Sequence, residues 1–160
     1  MGFFVVREGC ILDVARLRTA VSDLAARSGL LLVDLSWVQT GRRSLLRILI
    51  DRPGRVTVGE CAAFSRQLED VLDRDLDPDG PYMLEVSSPG VGRRLESEVD
   101  WIRCVGRHIH VEIPGEVVED ELLGYEGGCL VFPGSRIVPT SMITRAVETL
   151  DAAGRKGDKK

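Results

Sequence analysis

Leu84-Glu85-Val86-Ser87-Ser88-Pro89-Gly90-Val91-Gly92-Arg93-Arg94-Leu95 is the stretch on which the fold of this chain turns. Tyr82, Leu84 and Val86 alternate with Met83, Glu85 and Ser87, the two-residue period of a strand. Pro89 fixes φ and brings no N–H, so the ladder stops there. Gly90 and Gly92 allow positive φ or close backbone approach. The hydroxyls of Ser87 and Ser88 can bond nearby backbone and hold the turn. Ser87, Ser88, Pro89 and Gly90 therefore read as a structural turn, and Arg93 and Arg94 leave it with their charges displayed.

Upstream of the strand, Val14, Leu17, Val21 and Leu24 fall at i, i+3, i+7 and i+10, which predicts a helix over 11–28 ended by Gly29. Leu31–Val38 and Ser44–Asp51 alternate as two strands about a turn at 39–43, an antiparallel hairpin. Arg52-Pro53-Gly54-Arg55 reads as a surface loop. Thr57-x-x-Glu60 spells a capping box, so a second helix starts at Val58, with Cys61, Phe64, Leu68 and Val71 as its apolar stripe. The order helix, hairpin, helix, strand predicts an α+β domain in which two helices cover one face of a three-stranded sheet.

Downstream the pattern changes. Residues 96–104 read as a short helical linker. Ile109, Val111 and Ile113 alternate with His108, His110 and Glu112, and further short strands are expected at 121–125, 129–132 and 147–150. Such spacing suggests a small antiparallel barrel. The expected organisation is an α/β domain over 11–88, turn and linker over 89–104, a barrel over 105–150 and a disordered polar tail over 151–160.

The net charge of −4 removes bulk attraction to nucleic acid as an argument, so any such binding depends on where charge is placed. Of 21 basic residues only Lys156, Lys159 and Lys160 are lysines. No apolar run approaches a membrane span, and the chain reads as cytosolic. Cys10, Cys61, Cys104 and Cys129 are scattered without a C-x-x-C, which argues against a zinc site or redox pair. There is no phosphate-binding G-x-x-x-x-G-K-[ST] loop and no G-x-S-x-G elbow. His108 and His110 share a strand face, but no third metal ligand is placed by the sequence. No cofactor is expected, and nothing here argues for an enzyme.

The Leu84–Gly90 segment, followed by an aliphatic residue and arginine, resembles the RimP family of bacterial ribosome maturation factors. Gly29–Val38, Leu46–Asp51, Val56–Cys61 with Ser65–Leu68 and Val71–Asp73, and Trp101–Arg107 fit the same pattern, so the resemblance spans roughly 11–150. It departs at Gly92 and Arg94, where the family carries Asp and Pro around the first arginine. The resemblance implies an SH3/Sm-like barrel, with a one-turn helix over 139–145 before its last strand. It also implies a non-catalytic, monomeric cytoplasmic factor that binds the immature small ribosomal subunit, meeting ribosomal RNA and a basic ribosomal protein.

Within that frame Arg93 and Arg94 are candidate phosphate contacts, through forked charge-assisted bonds. Arg42, Arg43 and Arg47 on the hairpin are further candidates, with Arg52 and Arg55 at its exit. No aromatic residues alternate with them as base-stacking platforms do, so contact would read phosphate and shape. The acidic run containing Asp73, Asp75 and Asp77 stands where the helix dipole disfavours carboxylates and could attract a basic protein. Two other readings compete. One is an Sm-like regulator acting on free RNA, which the few cations between 105 and 150 weaken. The other is a hydrolase using Ser88, which requires a histidine beside the turn.

Overall fold

The computed structural model describes residues 14–76 and 81–150. Expectations for the amino-terminal segment, for Asp77 and the break after it, and for the tail lie outside the described residues. The chain is mixed α+β and forms two compact units. Among the described residues the first runs to Ile50 and resumes at Thr57 as far as Ser87; the second takes Asp51–Val56 and resumes at Ser88.

In the first unit, α1 (Val14–Arg27) buries Leu17, Val21, Leu24 and Ala25. Val14, the first residue of the expected stripe, is exposed. The helix ends as a Schellman motif: Gly29 at φ 70° donates to Ala26 and Leu30 donates to Ala25, satisfying carbonyls the helix leaves open. β1 (Leu31–Thr40) and β2 (Arg43–Asp51) are joined through Gly41 and Arg42 alone, a connection that only an antiparallel pair admits. α2 (Val58–Val71) begins at the expected capping box, with the Thr57 hydroxyl accepting from the Glu60 N–H and the Glu60 carboxylate accepting from the Thr57 N–H.

α2 runs on into a π-helical turn, Leu72–Leu76. The wider turn shifts the apolar phase, so Leu72 is buried where Val71 was expected. β3 (Tyr82–Ser87) then joins the sheet beside β2, in parallel register with Leu46 opposite Leu84 and Ile48 opposite Val86. The sheet order is β1-β2-β3; α1 packs on β1, α2 on β3, and the helices on each other. Leu46, Ile48 and Ile50 of β2 and Phe64 and Leu68 of α2 are all buried.

The second unit opens with a strand-like bridge from Arg94 to Val147. α3 (Glu98–Arg103) follows, capped reciprocally by Ser97 and Asp100. Its Trp101, with Cys104 at the cap, enters the unit's core, so the stretch expected as a linker is a packed element. The strands are β4 (His108–Ile113), β5 (Glu116–Glu121), β6 (Gly124–Glu126), β7 (Cys129–Phe132), β8 (Arg136–Pro139) and β9 (Arg145–Glu148). A 3-10 turn at Thr140–Met142 precedes β9. The ladders make two three-stranded antiparallel sheets, β5-β4-β9 and β6-β7-β8, around Ile109, Val111, Leu122, Leu130, Phe132 and Ala146. They do not close into the expected barrel among the described residues. Leu122 and Leu123 leave the β5 line, bonding Arg107 and Val131 respectively, and the ladder breaks there.

Candidate functional site

Ser87 closes β3, Ser88–Gly90 carry no turn of their own, and the hydrogen-bonded turn is the next one, Gly90-Val91-Gly92-Arg93. Arg93 N–H donates to the Gly90 carbonyl at 3.4 Å, and Gly92 has φ 91°. That places Gly92 at the third position of a type II turn, where an L residue is disfavoured. Gly90 has no positive φ, and a Cβ there would meet nothing within 4 Å, so neither expected reason for that glycine holds. Ser87 ends β3, and Ser88 is exposed at the head of the second unit.

The candidate arginines fall into different settings. Arg42 and Arg43 are exposed at the β1–β2 turn. Arg47 lies opposite Glu85 in the β2–β3 register and pairs with it at 3.5 Å, both side chains being half exposed. Arg93 is half-buried. Arg94 donates to the Thr144 carbonyl at 2.9 Å and pairs with Glu96 at 2.9 Å. It borders a groove of about 470 Å³ in the second unit, lined also by Leu95, Trp101, Tyr125 and Arg145. Arg145 is in turn paired with Glu112 at 3.6 Å, so the two groove arginines carry their own counter-charges.

Asp73 and Asp75 are exposed on the π-helical turn, and Arg74 pairs with Asp75 at 3.4 Å. Burial raises the pKa of Tyr82, and the carboxylates of Asp73 and Glu69 raise it further. His110 is held between Glu119 and Glu112, at 3.2 and 3.3 Å. No group of three or more His, Cys, Asp or Glu suited to a metal ion occurs among the described residues. Burial pushes the Cys104 thiol up to about 11, so it stays protonated at neutral pH.

Sequence reasoning passed over the most concentrated electrostatics of the molecule, a buried ion cluster inside the second unit. The Asp51 carboxylate receives both terminal nitrogens of Arg107, at 2.8 and 3.0 Å, and Arg103 Nη1 at 3.1 Å. Arg103 Nε donates to Asp100 at 3.1 Å. Glu148 lies 3.5 Å from Arg107 and accepts from Arg55. Asp51, Asp100, Arg103, Arg107 and Glu148 are each no more than 5% exposed. The available signal was Ser97-x-x-Asp100, a capping spacing that leaves Arg103 about one turn beyond Asp100.

Burial by itself would raise the Asp51 pKa. The Arg107 hydrogen bonds, the Arg52 N–H and the charges of Arg107 and Arg103 outweigh it and hold the carboxyl below 3.8. For Asp100 burial is likewise outweighed, by the Glu96 and Ser97 N–H groups, the Ser97 hydroxyl and Arg103. A folded pKa below the unfolded one means that the native unit binds fewer protons. The stability contributed is present above 3.8 and lost as pH falls through the lowered folded values. The second unit is therefore expected to keep a flat thermal midpoint from neutrality to about pH 5 and to lose it steeply below about pH 4. A midpoint unchanged across that range would show that the cluster contributes nothing.

The described residues form an α+β protein in which the candidate arginines lie at the β1–β2 turn, on β2 and at or just after the Gly90–Arg93 turn, while a charged cluster is closed off inside one unit. Residues 20–92 match the family model of the RimP N-terminal domain, a span that runs from within α1 to the Gly90–Arg93 turn. Residues 20–92 thus carry the N-terminal domain of the RimP family, a family of ribosome maturation factors. No helix among the described residues is long and apolar enough to cross a membrane.

Proposed function

We propose that this protein is a non-catalytic, monomeric cytoplasmic assembly factor that binds the immature small ribosomal subunit. The observation that carries this reading is the RimP N-terminal domain over 20–92. Arg42 and Arg43 supply the leading RNA contacts. They are exposed at the tip of a two-strand hairpin, a backbone already fixed before binding, so less ordering entropy opposes their contact with phosphate. Arg47 and Arg94 contribute less, because each must first leave a carboxylate. Arg93 adds a contact from a rigid type II turn. Asp73 and Asp75, with Asp77, offer carboxylates to a basic ribosomal protein. We read the second unit as SH3/Sm-like, on its short antiparallel strands and the 3-10 turn at Thr140–Met142 directly before the last of them.

Sedimentation of tagged protein against free subunits, mature ribosomes and the soluble fraction tests the proposal. Recovery is expected on free or immature small subunits and is expected to fall with salt, as phosphate contacts release counterions. The double variant Arg42→Glu/Arg43→Glu is expected to weaken recovery at least tenfold and to flatten the salt slope by about one per arginine. Its thermal midpoint should match the parent. Equal recovery on mature ribosomes, or none at low salt, counts against the proposal. Strong binding to isolated oligonucleotides instead would favour a regulator of free RNA.

A further inference from the structure

The chain enters the second unit twice, first over Asp51–Val56 and finally from Ser88. The short first visit is held unlike anything else in that unit. Asp51 Oδ1 accepts the N–H groups of Arg52, at 2.9 Å, and Val56, at 3.4 Å, which curls the segment around its own carboxylate. Pro53 and Gly54, at φ 82°, turn it, with Arg55 N–H donating to Arg52 O at 3.0 Å. Its attachments to the rest of the unit include bonds to Arg103, Arg107 and Glu148, among them Arg107 Nη2 to the Arg52 carbonyl at 2.8 Å. None of its residues belongs to the apolar core of the unit, which is complete without it.

Charge accounting separates the segment from its seat. With it in place the cluster sets Arg55, Arg103 and Arg107 against Asp51, Asp100 and Glu148. When the segment leaves, Asp51 and Arg55 leave together, and Arg103 and Arg107 remain opposite Asp100 and Glu148. The cluster is balanced in both conditions, so departure strands no net charge in the interior. Two features favour departure. Arg55 is a non-glycine residue at φ 73°, a conformation that costs roughly 1–3 kcal/mol. Arg103 Nη2 and Arg107 Nε are buried without a protein acceptor among the described residues, and exposure to water relieves such donors.

We propose that Asp51–Val56 is a polar latch, a strap that opens and closes on the second unit while the core of that unit stays folded. Its grip centres on carboxylate and guanidinium, and one side chain, Asp51, holds both Arg103 and Arg107 in the closed state. Opening frees Arg55 from Glu148 and uncovers the Arg103–Arg107 face of the unit.

Native-state hydrogen exchange on the full chain tests this. The amides of Arg52, Arg55 and Val56 are expected to exchange through an opening that depends little on denaturant, whereas those of β4 require a step with a steep dependence. Asp51→Asn keeps the side-chain shape but removes the charge. It is expected to speed exchange at Arg55 and Val56 at least tenfold, whereas the β4 amides speed up by no more than the same factor and keep their steep denaturant dependence. Arg55→Ala, which removes the Glu148 grip from an exposed position, should act in the same direction. Equal slopes for strap and β4 amides would overturn the latch, as would an Asp51→Asn chain whose strap amides exchange no faster than the parent's or one that fails to fold.

Discussion

Arg103→Ala is expected to lower the stability of the second unit by about 3–5 kcal/mol, the cost of breaking a buried ion pair from one side. Arg103 is 0% exposed, and its loss leaves Asp51, Asp100 and Glu148 facing only Arg55 and Arg107. Unlike release of the strap, this strands an unbalanced carboxylate in the interior and opens a void the size of a guanidinium. Arg103→Met separates the two effects: it fills much of the void but restores no charge, so less than half of the loss should return. The readout is built in. The protein has two tryptophans, Trp37 in the first unit and Trp101, 4% exposed, in the core of the second. In a Trp37→Phe background, denaturant unfolding followed by Trp101 emission reports the second unit alone. A shift below about 1 kcal/mol would make the cluster energetically idle.

Phe64→Ala should cost the first unit a similar amount, about 3–5 kcal/mol, by a different mechanism. Phe64 is 2% exposed in the middle of α2, among Leu46, Ile48 and Leu68 of the same buried set. Removing its ring forfeits the transfer free energy of the side chain and leaves a cavity that helix and sheet cannot close without moving. Hydrogen exchange should show β2 amides losing most of their protection while β4 amides keep theirs. Equal loss in both units would mean that the two unfold as one.

The first unit was legible because its elements follow simple periods. The Leu17–Leu24 spacing, the alternation in β2 and the Thr57–Glu60 box each name an element and its burial side, and the structure repeats them. The α2 terminus was misjudged because a π turn adds phase that a 3.6-residue count omits. In the second unit β7 was placed residue for residue, but β5 was missed. Glu116-Val117-Val118-Glu119-Asp120-Glu121 has a composition poor in strand formers, and pairing with β4 overrides it. The candidate arginines could be named from sequence, yet their counter-charges could not. Arg47 meets Glu85 across 38 positions, and Arg94 reaches the Thr144 carbonyl across 50. The cluster was hidden for the same reason, since Asp51 and Arg107 are 56 positions apart and no local period links them.

The acidity of β5 has a consequence beyond its pairing with β4. The strand lies at the margin of its sheet, and a sheet margin is a template on which another copy of the same chain can continue the ladder. Here an approaching twin would bring Glu116, Glu119, Asp120 and Glu121 against the same four carboxylates. No proline or bulge is needed to discourage that docking: like charge does it. Growth of copies onto one another from this edge is thereby opposed.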